Sequence, residues 1–232
     1  PLGQFRGQEV VHIRAQDKVG TAAEGKMDME EYNGLIAGSW GICGACTSMT
    51  TANSMCMAAE AMGMTLPGNS TMSAVSSQIR LLSYQAGKQI MRLVREGITA
   101  RQVMTAEAIC NAIVMDMAVA GSSNLILHLP AIARAAGVPL ALQDFDEISR
   151  KTPNLCKLSP SGPHHIEELD RSGGVMGVME ELSKGGLIHE SVQTVSLKPM
   201  GELLKGAKKQ GIIKHTGATK KGKWEVIEGP KQ

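Results

Sequence analysis

Two thiols three residues apart, Cys43 and Cys46, sit in the small-residue loop Gly41-Ile-Cys-Gly-Ala-Cys46. A thiolate attacks electrophiles and binds metals, so this spacing permits a redox dithiol, half of a zinc site or a cluster ligand. A complete zinc site fits poorly, because no second CxxC or HxxxH follows and His164 and His165 are adjacent. A redox dithiol needs a strand to deliver it, and the stretch from Ile36 to Gly41 reads as a turn. Two buried small residues are the plain alternative. Thr50 or Thr51 can cap a helix that follows, with Met55, Ala58, Ala59 and Met62 as its apolar face. Gly63 stands where a left-handed cap belongs, and Pro67-Gly68 keeps the helix from resuming. A cysteine just before such a helix feels the positive end of its dipole, which favours the thiolate. Cys56, Cys110 and Cys156 read as core thiols.

Other polar clusters are weaker. Ser122, Ser123 and Asn124 form a turn at a helix start, suited to a carboxylate, a bridging water or plain capping. His128 lies one turn into an apolar helix and reads as a core histidine. His164 and His165 precede Glu167 and Glu168 and read as a polar first turn. No residue of the chain is assigned a catalytic role.

The elements that must position these groups are mostly helices. Val10 to Ile13 is a plausible edge strand, and 17–26 and 28–37 read as helices with acidic starts. Residues 73–96 give the longest helical pattern, with Ile79, Leu82, Ala86, Ile90, Leu93 and Val94 along one face and Gly97 ending it. Thr105 caps a helix to Val119, and another runs from Leu125 to Ala136 with Pro130 as a kink or restart. Asp144 and Glu147 have capping-box spacing. Leu155–Leu158 and Val192–Leu197 read as short strands, with helices over 165–171 and 175–182. Few short strands among many helices predict an α/β, helix-dominant domain.

Composition sets outer bounds. The 232 residues are 43% hydrophobic and 20% charged, ordinary for a globular chain of one large or two small domains. Aromatics make up 3% while Met numbers 15, so the core should be aliphatic and thioether-rich. A net charge of +2 is too mild to argue for a nucleic-acid partner. No apolar run is long enough for a membrane span, and no signal-peptide pattern is present. The odd cysteine count argues against a disulfide framework and for a reducing, cytoplasm-like compartment. The chain opens on Pro1, which suggests a fragment or processed piece. Lysines crowd 198–232, expected to be a basic linker or tail after a domain over 1–197.

Three ordered blocks carry a resemblance. Cys46-Thr-Ser-Met-Thr-Thr-Ala-Asn-Ser-Met55 with Glu60-Ala-Met-Gly-Met-Thr-Leu-Pro-Gly-Asn-Ser70 resembles the iron–sulfur segment of the dihydroxy-acid/phosphogluconate dehydratase family. The stretch Asn111 to Ala133, with its Gly121-Ser-Ser-Asn124 turn and the helix that carries His128-Leu129, is similar to a second family block. Asp144-Phe-Asp-Glu-Ile-Ser149, Pro153-Asn-Leu-Cys156 and His164 to Val175 complete it in order, over about Gly7 to Leu197. The resemblance implies the helix-dominant N-terminal domain with short strands, without the family's barrel-like C-terminal domain. It implies that Cys46 binds an iron–sulfur cluster, 2Fe-2S first and 4Fe-4S as the alternative, with Cys43 an extra thiol. It further implies Mg2+ in the complete enzyme, a small-molecule dihydroxy acid as substrate, a homodimer, and a cytoplasmic or organellar-matrix location.

The implied reaction dehydrates a 2,3-dihydroxy acid to a 2-keto acid in branched-chain amino-acid biosynthesis. The family's other cluster cysteines and magnesium ligands precede the matching stretch, and its serine base follows it. The chain is therefore expected to be inactive alone. A sugar-acid dehydratase is the alternative within the family, and a non-enzymatic thiol- or metal-binding module the alternative outside it.

Overall fold

The computed structural model describes residues 2–41 and 43–205, together with the backbone of 213–216 and 223–226. A short hairpin opens the chain: β1 (Gly3–Phe5) pairs antiparallel with β2 (Gln8–Val10) across the left-handed residues Arg6 and Gly7. The expected strand through Ile13 stops at Val10, because His12 already belongs to α1 (His12–Gln16). The single helix expected over 17–26 shrinks to α2 (Val19–Ala23). Next comes α3 (Met29–Ser39), which Asp28 caps by accepting from the Glu30 and Glu31 amides.

The core is built on α4 (Thr51–Ala61) and α7 (Ala106–Ala118). Apolar on nearly every side, α7 is sunk in the centre, with Ile109, Ala112, Ile113, Met115 and Ala118 all buried. Against it lie Met57, Ala58 and Ala61 of α4. Around this pair pack α8 (Leu125–Ala136), α9 (Leu142–Lys151), α10 (Ile166–Arg171), α11 (Gly174–Lys184) and α12 (Met200–Leu204). Met57, Met62, Met115, Met176, Met179 and Met200 are buried, so the thioether-rich core is as expected. Pro130 stays inside α8.

Several boundaries move for identifiable reasons. Asp144 does not cap α9; it is the third helical residue, reaching back to accept from the Ala141 amide. Helix α9 therefore starts before the expected box. The stretches 155–158 and 192–197 form only isolated bridges, Leu158 with His164 and Gln193 with Pro199. Leu155, Cys156, Leu158 and Val192 are buried in the helical core, and no sheet among the described residues offers them an edge to join.

Helix α5 (Ser77–Glu96) is capped by Ser76 and ended by the left-handed Gly97, close to its expected span. It leads into α6 (Ala100–Val103). Of its predicted stripe only Leu93 is buried; Ile90 is 55% exposed and Val94 67%. Beyond Lys205 the expected basic segment lies largely outside the described residues. There, β3 (Ile213–Thr216) pairs antiparallel with β4 (Lys223–Val226).

Candidate functional site

The thiol loop is fixed from below by Asn53, which is buried on α4. Its side-chain amide donates to the Cys46 carbonyl at 2.7 Å and to the Ser48 carbonyl at 2.6 Å. Two backbone carbonyls thus find a partner that no helix or strand supplies. Segments distant in sequence hold the loop's other side. The Met49 amide donates to Ser159 O and the Ile166 amide to Thr47 O, while Ser48 and Ser159 hydroxyls lie 3.1 Å apart. The Thr47 hydroxyl donates to the Glu167 carboxylate.

Cys46 is half-buried, with Sγ 3.2 Å from Thr50 Oγ1 and 3.4 Å from the Ser48 carbonyl. Thr50 does stand at the N-cap of α4, but its side chain makes no capping bond; its hydroxyl faces the sulfur instead. Cys43 is exposed. Gly44 has φ +109°, and a Cβ there would lie 2.7 Å from that of Ala74, so glycine lets the loop press against residue 74. Cys43, Cys46 and Cys56 all line one cleft of about 250 Å³, walled also by Asn53, Ser70, Thr71 and Glu167.

Cys56 corrects the expectation of a core residue. It is exposed on the cleft side of α4, while Met57, Ala58, Ala61 and Met62 face the interior. The expected face is thereby rotated: Met55 and Ala59 are only half-buried. Burial and then the neighbouring Glu60 raise the Cys56 pKa. Cys110 is half-buried with its pKa raised mainly by burial, and Cys156 is fully buried and pushed up to about 12. Cys156 is thus a core thiol as expected, whereas Cys110 only packs against the edge of the core.

The Ser122–Asn124 turn comes to lie beside the start of α4. The Ser122 amide donates to Ser54 Oγ at 2.8 Å, and Asn124 Nδ2 donates to Thr51 Oγ1 at 2.6 Å. Capping of its own helix is not its main task, since the Asn124 side chain makes no cap bond to α8. Beneath the turn, Asp116 is buried with Oδ1 lacking a hydrogen-bond partner, and burial raises its pKa to about 7. A Cβ on Gly121 would fall 1.7 Å from that oxygen, so residue 121 has no room for a side chain. His164 and His165 behave as a polar first turn: Glu168 accepts from the His165 amide at 2.7 Å and lies 3.0 Å from His164 Nδ1. His128 is half-buried on α8.

Two residues escaped the reading of the sequence. Glu60 is 1% exposed, yet its carboxylate accepts from the Gly68 and Ser70 amides. Asn53 stands out in the sequence only as part of a motif. A polar side chain on the otherwise apolar inner side of a helix was the available signal for both, since a buried polar group must be partnered.

The family "Dihydroxy-acid/6-phosphogluconate dehydratase N-terminal" matches residues 3–203. A dihydroxy-acid dehydratase of Maridesulfovibrio salexigens is 45% identical over 216 residues, 91% of this chain and 39% of that protein. One from Nitratidesulfovibrio vulgaris is 46% identical over 83% of this chain and 35% of that protein. One from Pyrococcus furiosus is 46% identical over 88% of this chain and 37% of that protein. The chain thus spans little more than a third of the length of these relatives. It belongs to the dihydroxy-acid/6-phosphogluconate dehydratase family, within the family's N-terminal part.

Proposed function

We propose that this chain is the iron–sulfur-bearing part of a hydro-lyase that converts a 2,3-dihydroxy carboxylic acid to a 2-keto acid. Branched-chain amino-acid biosynthesis is the setting, supported by relatives that are all named dihydroxy-acid dehydratase and not by the sugar-acid name. The observation that carries the reading is Cys46, offered to a cleft by a loop that Asn53 pins at two carbonyls.

Cys46 fits as one ligand of an iron–sulfur cluster. Its sulfur is reachable from the cleft, and the Thr50 hydroxyl beside it can stabilise a thiolate. A closed ligand set is not formed here, since no trio of His, Cys, Asp or Glu among the described residues is placed to hold a metal ion. The remaining ligands, and those of Mg2+, come on this reading from the rest of a longer polypeptide. When bound, the cluster supplies a Lewis acid for the departing hydroxyl. This chain's own residues hold the ligand thiol in place, wall the cleft and present Thr47 and Thr71 to a polar substrate. None of them is assigned the base.

A 1–197 dehydratase domain followed by a basic 198–232 segment is part of the same reading, as are a homodimer and a cytoplasmic or organellar-matrix location. No helix among the described residues is long and apolar enough to cross a membrane. The test supplies iron and sulfide anaerobically to this chain and to the full-length protein, then assays dihydroxyisovalerate and a sugar acid. The full-length protein should dehydrate the first faster, and this chain neither. Turnover by this chain, or preference for the sugar acid, would contradict the reading.

A further inference from the structure

The thiol cleft shares a wall with a second cavity. On the far side lies an open groove of about 440 Å³, lined by Leu66, Leu82, Ile90 and Val195 among others. Asn69 is the one residue common to the linings of both. Its position is unusually well fixed. The carboxylate of the buried Glu60 accepts from the residues on either side, Gly68 N to Oε1 at 2.8 Å and Ser70 N to Oε2 at 2.9 Å. The Ser70 hydroxyl donates to the Cys56 carbonyl at 2.7 Å, and that of Thr71 to Asp170 Oδ1 at 2.7 Å. The Asn69 amide itself donates to Leu66 O. Every constraint falls on the backbone or on neighbours. The Asn69 side chain is only half-buried and makes no hydrogen bond to the described residues.

A polar side chain is thus held at a junction by a buried carboxylate that does no other visible work. An unpaired amide costs little while water reaches it, and is worth most when a ligand replaces that water with matched polar groups. Its carbonyl can accept from a hydroxyl and its NH2 can donate to a carboxylate or hydroxyl oxygen. Burying a carboxylate without a cation is costly, and burial does raise the Glu60 pKa against the pull of the Gly68 and Ser70 hydrogen bonds. Such a group is a poor choice for stability alone and a good one for fixing a loop.

We propose that Asn69 is a substrate-contacting, specificity-determining residue of the thiol cleft. It hydrogen-bonds a hydroxyl or carboxylate oxygen of a small hydroxy acid, and Glu60 is the positioning residue that presents it. The proposal rests on the dehydratase reading but adds a contact which that reading does not require.

The test uses the full-length protein assembled with iron and sulfide, with dihydroxyisovalerate as the probe. Asn69→Ala should raise KM about 10- to 50-fold while kcat stays within about threefold, the signature of lost binding. Asn69→Asp should weaken binding further, by about 100-fold or more, because its charge repels the substrate carboxylate. Glu60→Gln should reproduce the KM rise and speed amide exchange at Gly68 and Ser70, with the iron–sulfur absorption intact. Amide exchange over 66–71, with and without the probe, reads binding independently of turnover. Turnover with unchanged KM in both Asn69 variants would overturn the proposal and leave the dehydratase reading standing. Asn69-dependent protection without turnover would support the contact and sink the assigned reaction. Neither turnover nor protection in the unaltered protein would overturn both. Should Glu60→Gln fail to fold, the two Asn69 variants still decide the contact, since that side chain supports nothing else in the fold.

Discussion

Each of the cysteines sees a different environment, and their reactivities should separate accordingly. Cys43 and Cys56 are exposed, whereas Cys156 is fully buried with its pKa pushed up to about 12. In the native protein at pH 8, a thiol reagent should label Cys43 and Cys56 within minutes and leave Cys156 unmodified until denaturant is added. Early labelling of Cys156, read by peptide mass, would show that the core around α7 is not packed as described. Asp116 gives a second test at this scale. Burial raises its pKa from 3.8 to about 7, so the folded chain keeps a proton that the unfolded chain releases between those values. Stability should then fall as pH rises from about 4 to about 7 and level off above, by about 4 kcal/mol at most. Asp116→Asn removes the titrating group. Denaturation of both proteins at pH 4.5 and pH 8 should show the variant gaining on the parent at the higher pH; parallel pH profiles would contradict the orphaned carboxyl.

At the scale of elements, the turn before α8 and the helix α5 make opposite predictions. Gly121→Ala places a methyl into Asp116 Oδ1, so it should destabilise by about 3 kcal/mol, at the upper end for overpacking. A loss under about 0.5 kcal/mol in chemical denaturation would show that Asp116 moves aside freely. On α5, Leu93→Ala should cost about 2–4 kcal/mol while Val94→Ser stays within about 0.5, because only the first is buried. Helical spacing marks both as one apolar face, so the sequence could not separate them. Periodicity reports which residues share a side of a helix, not whether anything packs there. Helix ends with local signals were legible: Thr105 caps where expected, and Gly63 and Gly97 carry the left-handed turns. The misread strands at 155–158 and 192–197 had apolar runs but no local signal of a missing sheet. Their burial comes from distant helices. The thiol loop that carries Cys46 was marked by its motif; the burial of Glu60 was not, because its partners come from the loop at 68–70 folding back onto α4.

For the whole molecule, the helical core around α4 and α7 holds a thiol loop and a polar turn side by side. That core does not close a metal site by itself among the described residues. The chain spans about 39% of the Maridesulfovibrio salexigens relative, and on the proposed reading the remainder of such a protein brings the further ligands to the cleft. The central claim is that Cys46 binds the cluster. On the same proposal Cys43, although in the same loop, does not. The most direct measurement is the visible iron–sulfur absorption and iron content of full-length Cys46→Ser and Cys43→Ser proteins, assembled anaerobically side by side. Cys46→Ser should lose the absorption together with most of the iron, while Cys43→Ser keeps most of both. A redox dithiol would make the two substitutions equivalent, so equal loss of activity from both, with iron retained, would contradict the account.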